Sequence, residues 1–567
     1  MRFKIIRHVT IFLLLAVAAN LFYIQVIRGY YYFALSMRNR IRVVALEGVR
    51  GRIMDREGQI LADNQLTFNV SVVPQDIDER QALFAYLSRV IKVSPAELNR
   101  RFRIRFLTPF TPVVIAEDIP RDVAVEIEEN KFRFPGLMVE EGYRRIYPQG
   151  SVGAHVLGYV GKISRAKIEQ LKDYGYTMQS IVGYSGVEEF YDDDLRGESG
   201  GRQIEINNRG QEVRLLGLRN PTVGKDVTLT IDERVQDIAA EILLGKRGAV
   251  VIMDAGNGEV LGLVSSPSFD PNHFVDANQR SNLNSYFNDA ASPLLNRATS
   301  GQYPPGSVFK IPVAIAALEG DHITRNTTFI CPGYYAIGQY RYGCTHVHND
   351  ENLIEAITHS CNVYFFHAGL LVGSDEIRRF ARLLGLNART NVDLPSESAG
   401  AIPSRNSYRG RWFTGDTINF SIGQGKVLTT PIQLVKMIAI IANRGKVVQP
   451  HFILAVGDGP SGHLLKPSMI KLRKETYRDV EEGLKNVVED PTGTANTLAI
   501  SGLKSFGKTG TAQAGAGREN HAWFVGYTKT DKRTVAYCIF LENGGSSHNA
   551  VLLARELLLR INAVGII

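Results

Sequence analysis

Tyr303-Pro304-Pro305-Gly306-Ser307-Val308-Phe309-Lys310 is the stretch on which the reading of this chain turns. Two prolines and a glycine stop whatever precedes them, and the pattern beyond predicts a helix that begins at Ser307. Ser307 and Lys310 then stand at i and i+3, on one face of its first turn. A serine hydroxyl is a poor nucleophile until an adjacent base takes its proton. A lysine serves as that base only when burial or a neighbouring cation keeps it neutral. The amides at a helix start favour negative charge developing there. Pro312 cannot donate to the carbonyl of Val308, which predicts an early kink. By itself the pair is weak, since an N-cap serine near a surface lysine is common.

Two further pieces strengthen it. Ser360-Cys361-Asn362 falls between a helix ending near His359 and another starting near Asn362, and offers a second hydroxyl and an amide. Lys508-Thr509-Gly510-Thr511 sits in a strand-like run. A cation and hydroxyls on an edge strand suit a substrate carboxylate, and Gly510 is expected to let a ligand backbone approach. Around these pieces, Val227 to Ile231 reads as a strand and Glu233 to Leu244 as a helix. Gly248 to Asp254 and Glu259 to Ser265 are apolar runs joined by Ala255-Gly256-Asn257-Gly258, a hairpin signal. A mostly helical middle follows from Ser307 to about Asn443. Strand-like runs then lie around Lys508, at Ala522 to Thr528 and at Thr534 to Glu542, with a helix from about Ala550 to Ile561. Two strands, helices, three strands and a helix predict an α+β fold, a sheet between helices. Gly502 to Thr509 also fits G-x-x-x-x-G-K-T, but that motif needs a helix after it. Gly510 and Ala514-Gly515-Ala516-Gly517 follow instead, so nucleotide binding is set aside and no nucleic-acid partner is expected.

Upstream, Val9 to Ile27 is apolar but for Thr10, Asn20 and Gln25. At about 1.5 Å per residue the run spans roughly 28 Å, enough for a hydrocarbon core. Ala16-Val17-Ala18 resembles a cleavage site, yet the apolar run continues through Leu21, Phe22, Tyr23 and Ile24, which favours an uncleaved anchor over a signal peptide. Arg2, Lys4 and Arg7 before it are balanced by Arg38, Arg40 and Arg42 after it, so charge does not set the orientation. A cytoplasmic tail of residues 1–8, an anchor at 9–28 and an exported body is the simpler arrangement. Residues 29–225 are Arg-rich, with short strands such as Phe68 to Val73 and an amphipathic stretch at Pro95 to Phe102. They read as an extended stalk and docking module, ahead of a catalytic domain at 226–567. Of 567 residues, 44% are hydrophobic and 22% charged, which excludes disorder and a polytopic membrane protein. Lys plus Arg at 65 against Asp plus Glu at 57 gives only +8, a weak argument for any anionic partner.

Ser-x-x-Lys, Ser-x-Asn and Lys-Thr-Gly in this order resemble the signature set of penicillin-binding proteins and serine β-lactamases. The whole chain resembles a class B penicillin-binding protein, a monofunctional peptidoglycan D,D-transpeptidase. Arg50 to Gly58, Arg144-Arg145-Ile146-Tyr147-Pro148, and Gly186 to Phe190 with Leu195-Arg196-Gly197 are similar to pedestal motifs of that class. Gly415-Asp416-Thr417, Ser421-Ile422-Gly423-Gln424-Gly425 and Thr430 to Leu434 look most like its elongation type, with the division type a close relative. The resemblance implies a five-stranded antiparallel sheet between helices, on an α+β pedestal behind a single transmembrane helix. It implies that Ser307 attacks the D-Ala-D-Ala carbonyl of a stem peptide, with Lys310 as base. Ser360 would relay the proton, Asn362 would hold Lys310 and the substrate amide, and Lys508 with Thr509 would bind the terminal carboxylate. The amides of Ser307 and Thr511 would form the oxyanion hole. A second stem peptide would resolve the acyl-enzyme into a cross-link, and β-lactams would acylate the same serine. The family further implies a place in the bacterial inner membrane, an extracytoplasmic catalytic domain and a SEDS-type glycan polymerase as partner. The alternatives are a D,D-carboxypeptidase or β-lactamase, which rapid deacylation would reveal, and a vestigial scaffold, which the intact three-motif set argues against.

Four cysteines are too few for a disulfide scaffold. Cys331, Cys344 and Cys361 lie close together in sequence with His346 and His348, and two arrangements stay open. Cys331, Cys344, His348 and Cys361 would close a four-ligand structural zinc site. Alternatively Cys331 and Cys344 form a disulfide, with Cys361 buried and inert. Elongation-type relatives imply the metal, for which Cys361 and His348 match best; catalysis needs no cofactor. Cys538, in an apolar strand, is expected in the core.

Overall fold

The computed structural model describes residues 2–33, 41–46, 48–106, 108–109, 111–171, 176, 180–206, 212–276, 279, 282–404, 411–460 and 465–567. Arg38 and Arg40 lie outside the described residues. A helix runs over Arg2–Phe22 and widens into a π-helical turn at Tyr23–Ile27. Its apolar side chains are exposed all round, and the 25 residues Phe3–Ile27 are long and apolar enough to cross a membrane. The helix starts ahead of Val9, so most of the tail expected at 1–8 is helical as well.

The chain forms two compact units that are not contiguous in sequence, and the apolar helix falls in the first. The first gathers residues 1–50, 64–144 and 196–224. It holds an antiparallel sheet of Ile41–Leu46, Gly200–Ile206 and Glu212–Arg219. It also holds strands Val113–Ile119 and most of Ile60–Val72 and Leu137–Ile146, packed with helices Arg80–Ile91, Pro95–Arg105 and Arg121–Asn130. The expected Pro95 helix is capped as its sequence dictates: Ser94 Oγ accepts the Glu97 N–H at 3.2 Å, and Pro95 occupies the first position.

The second unit comprises residues 51–63, 145–195 and 225–567. The module expected over 29–225 is therefore divided, because buried polar contacts draw 51–63 and 145–195 into this unit. Arg145 Nε meets Glu188 Oε1 at 2.7 Å with both side chains almost fully buried, and its Nη1 donates to the Gly51 carbonyl at 2.7 Å. A Cβ at Gly51 would stand 1.9 Å from the Lys225 carbonyl oxygen, so only glycine lets these segments touch. Arg52 pairs with Asp226, and Val227–Leu229 pairs in parallel with Ile53–Met54. The Val227 strand thus lies outside the main sheet.

That sheet consists of β1 (Gly248–Asp254), β2 (Val260–Ser266), β3 (Lys504–Ala512), β4 (His521–Lys529) and β5 (Thr534–Leu541), antiparallel in the order β2-β1-β5-β4-β3. β4 and β5 are buried along nearly their whole length, because helices Glu233–Ile242, Pro431–Ala442 and Ser547–Ala563 pack against the sheet. β3 is the edge strand. Between β2 and β3 lie helices Lys310–Glu319, Leu353–Thr358, Asn362–Val372 and Lys474–Glu489. Two small ribbons interrupt them, Phe329–Cys331 with Asn349–Glu351 and Tyr334–Ile337 with Tyr340–Gly343. The helical reading of this middle segment missed both, because they contribute little to the core and leave no alternating apolar pattern.

Candidate active site

The prolines before Ser307 are fixed by backbone contacts on both sides. Tyr303 and Thr429 exchange N–H and carbonyl at 2.9 Å each way, and Trp523 Nε1 donates to the Pro304 carbonyl at 3.1 Å. Gly306 has φ +56°, donates to the Gly423 carbonyl at 3.1 Å, and leaves no room for a Cβ, which would lie 2.5 Å from the Thr511 carbonyl oxygen. The chain then makes a 3-10 turn over Gly306–Phe309 before the α-helix Lys310–Glu319. The α-helix expected from Ser307 is corrected accordingly. At three residues per turn, positions i and i+3 eclipse, so Ser307 and Lys310 share one edge more closely than in an α-helix. Pro312 falls in the first turn of the α-helix, where its missing N–H costs nothing.

Lys310 is 1% exposed. Its Nζ donates to the Ser360 carbonyl at 2.6 Å and to Asn362 Oδ1 at 2.7 Å, and lies 3.3 Å from Ser360 Oγ. Burial drives its pKa down to about 8, against the partly offsetting pull of nearby thiols and Glu351. Ser360 takes φ +58°, a left-handed backbone that a serine adopts only when its surroundings insist, and it ends the short helix Leu353–Thr358 so that its carbonyl reaches Lys310. Asn362 opens the next helix and spends one amide N–H on the Gly343 carbonyl at 3.1 Å.

Lys508 lies on β3 with no exposure, and among the described residues its Nζ has no hydrogen-bond partner. Burial holds its pKa well below the ordinary lysine value, and the neighbouring Lys310 adds to the shift. A buried, unpaired ammonium is costly, so an arriving anion would supply what the fold withholds. Thr509 is 4% exposed and its hydroxyl donates to Thr494 Oγ1 at 2.9 Å, whereas Thr511 is exposed. Gly510 does not leave space for a ligand. A Cβ there would meet the Pro305 carbonyl oxygen at 2.7 Å and Val308 Cγ2 at 3.0 Å, so the glycine makes room for the nucleophile turn. The P-loop pattern ending at Thr509 is an edge strand followed by another strand, as its glycines indicated.

Three contributors escaped the sequence reading of the site. Gly343 comes from a ribbon, Thr494 from the loop before β3, and Gln424 joins the Thr511 carbonyl to the Gln513 N–H at 3.4 Å each. Only Gln424 had a signal, in Ser421 to Gly425.

All four cysteines are free thiols. The donor atoms of Cys331, Cys344, His348 and Cys361 lie within 4.8 Å of one another, while the His346 ring is not in the set. Cys331 Sγ and Cys344 Sγ are each 3.5 Å from His348 Nδ1, and Cys344 Sγ is 4.0 Å from Cys361 Sγ. A tetrahedral zinc site has edges of about 3.6 Å between N and S and about 3.8 Å between two S. The Asn362 N–H donates to Cys344 Sγ at 3.1 Å and the Tyr364 N–H to Cys361 Sγ at 3.4 Å, which suits sulfur carrying negative charge. Cys538 is buried in β5, and burial alone pushes its thiol pKa up.

A profile of the penicillin binding protein transpeptidase domain matches residues 248–559, and one of the penicillin-binding protein dimerisation domain matches 45–229. The peptidoglycan D,D-transpeptidase MrdA of Haemophilus influenzae is 33% identical over 572 residues, covering 95% of this chain and 88% of that protein. Among solved structures, the penicillin-binding protein PBP2 of Helicobacter pylori in complex with MreC aligns with a TM-score of 0.84 at 28% identity, over 93% of this chain and all of that one. A peptidoglycan synthase complex that coordinates polymerization and crosslinking contains a chain with a TM-score of 0.72 at 29% identity, covering 99% and 98%.

Proposed function

The chain belongs to the family of penicillin-binding protein transpeptidases, and from that premise we propose that Ser307 carries its acyl group. It is a membrane-anchored peptidoglycan D,D-transpeptidase of the elongation type. The observation that supports Ser307 most directly is the buried lysine one short turn away, held by Ser360 and Asn362. Neutral Lys310 takes the proton from Ser307 Oγ as that oxygen attacks the carbonyl between the two terminal D-alanines. The oxyanion is held by the amides of Ser307 and Thr511. Ser360, in contact with Lys310 Nζ, passes the proton to the departing D-alanine amine. Lys508 pairs with the substrate carboxylate, helped by the exposed Thr511 hydroxyl, because that of Thr509 is engaged with Thr494. An amine of a second stem peptide then attacks the ester and frees Ser307. β-Lactams enter by the same acylation and stay.

Transpeptidases of this family need no cofactor for catalysis. Cys331, Cys344, His348 and Cys361 would hold one zinc ion as a structural tie, consistent with their spacing; metal analysis of the purified chain should find one equivalent, lost in Cys344→Ser. Within residues 29–225, the part that forms the first unit acts as a docking pedestal. The partner in the membrane is a SEDS-type glycan polymerase, a reading supported by the relative in a synthase complex that coordinates polymerization and crosslinking, and the anchor lies in the inner membrane with the catalytic unit outside.

Labelling the full chain in membranes with a fluorescent penicillin tests the assignment. Stable labelling that vanishes in Ser307→Ala is expected. Labelling that survives the substitution would place the acyl group on another residue, and rapid loss of label would favour a hydrolase.

A further inference from the structure

His359, the residue before Ser360, has both ring nitrogens engaged. Nδ1 lies 2.7 Å from Glu351 Oε1, and Nε2 lies 2.9 Å from Thr492 Oγ1. Glu351 is 2% exposed, whereas Thr492 is exposed on the loop that follows helix Lys474–Glu489. The Thr492 hydroxyl donates to Asp490 Oδ1 at 2.6 Å, so the ring donates to Thr492 through its Nε2–H.

The same loop reaches the other wall of the cleft. Thr509 Oγ1 donates to Thr494 Oγ1 at 2.9 Å, and the Thr494 N–H donates to the Thr358 carbonyl at 3.4 Å. Between them Gly493 is pressed on the end of the preceding helix; a Cβ there would lie 2.4 Å and 2.5 Å from the Asn486 and Val487 carbonyl oxygens. The loop is thus a short, tight strut. One end holds the segment that carries Ser360 and Asn362, and the other holds the strand that carries Lys508.

We propose that His359 is a positioning residue for acylation: through Thr492 and residues 490–495 it sets the Ser360–Asn362 wall, and with it Lys310, against Lys508 and Thr509. It exchanges no proton with substrate. A misplacement of order 1 Å between reacting groups costs up to about a hundredfold in rate, so a loosened strut reads out in the chemical step. The inference rests on Ser307 as the acylated serine.

The test uses the full chain in detergent and a chromogenic β-lactam, with the acylation rate constant and the dissociation constant of the initial complex measured separately. Thr492→Val keeps the loop's shape and the His359–Glu351 pair but removes the bridge. It should lower the acylation rate constant about tenfold while leaving the dissociation constant and the melting temperature unchanged. His359→Ala should cost at least as much, and the double variant no more than the worse single one. Should His359→Ala fail to fold, Thr494→Val cuts the strut at its other end and should match Thr492→Val. Wild-type acylation rates in Thr492→Val, a loss confined to the dissociation constant, or losses that multiply in the double variant would each overturn the proposal. Failure of the Ser307 reading would show separately, as acylated wild-type peptide lacking that serine.

Discussion

Lys310 carries the pH dependence of the reaction in its surroundings. Its pKa is driven down to about 8 by burial, and only the unprotonated amine can accept the Ser307 proton. The neutral fraction grows as pH rises through that value, so the acylation rate should climb from pH 6 to 9 with a midpoint near 8, falling about tenfold per unit on the acid side. A flat profile over that range would sink the assignment of Lys310 as base. Lys310→Arg should abolish acylation, because a guanidinium stays charged at every working pH. Glycines contribute as sharply as charges. Gly510→Ala sets a methyl group against the Pro305 carbonyl, which should cost about 1–3 kcal/mol of stability and at least tenfold in acylation, read by denaturant unfolding and penicillin labelling. The pairing of Ser307 with Lys310 was legible from local spacing. The parts played by Gly343, Thr494 and Gln424 were not, since each meets its partner through a fold contact between segments far apart in the chain or in an unpatterned loop, and periodicity carries no such information.

Among the elements, those with strong local signals fell where the pattern put them. Ser94 caps its helix, Ala255 to Gly258 turns β1 into β2, and the final helix runs over Ser547–Ala563. The nucleophile turn is the informative departure. Its sequence favours a helix, but the carbonyls of Gly423 and Thr511 pin Gly306 so closely that the first turn winds as a 3-10 segment. The Arg145–Glu188 pair is the other element-scale device, joining the end of strand Leu137–Ile146 to the short helix Gly186–Phe190. Glu188→Ala leaves the guanidinium of Arg145 buried opposite an empty site, which should cost about 3–5 kcal/mol. Thermal unfolding of the detergent-solubilised chain would register it as a fall in the transition of the second unit; an unchanged transition would show that the pair is dispensable.

For the molecule as a whole, one helix among the described residues, Phe3–Ile27, is long and apolar enough to cross a membrane. Removing residues 1–27 should release the protein from the membrane fraction and leave penicillin labelling of Ser307 intact, as fractionation followed by labelling would show. The anchor was legible because apolar runs of that length have few other uses. The division of 29–225 between units was not, because it is set by buried charges and by glycines such as Gly51 rather than by any change in composition. The close contact of backbone with backbone around the serine has a consequence for drug resistance. Bulk added at Gly306, Gly423 or Gly510 moves the nucleophile itself, so a bacterium under β-lactam selection cannot narrow its target there and still build a wall. Substitutions that leave the nucleophile in place are those at exposed positions such as Tyr340 and the turn from Gly515 to Asn520.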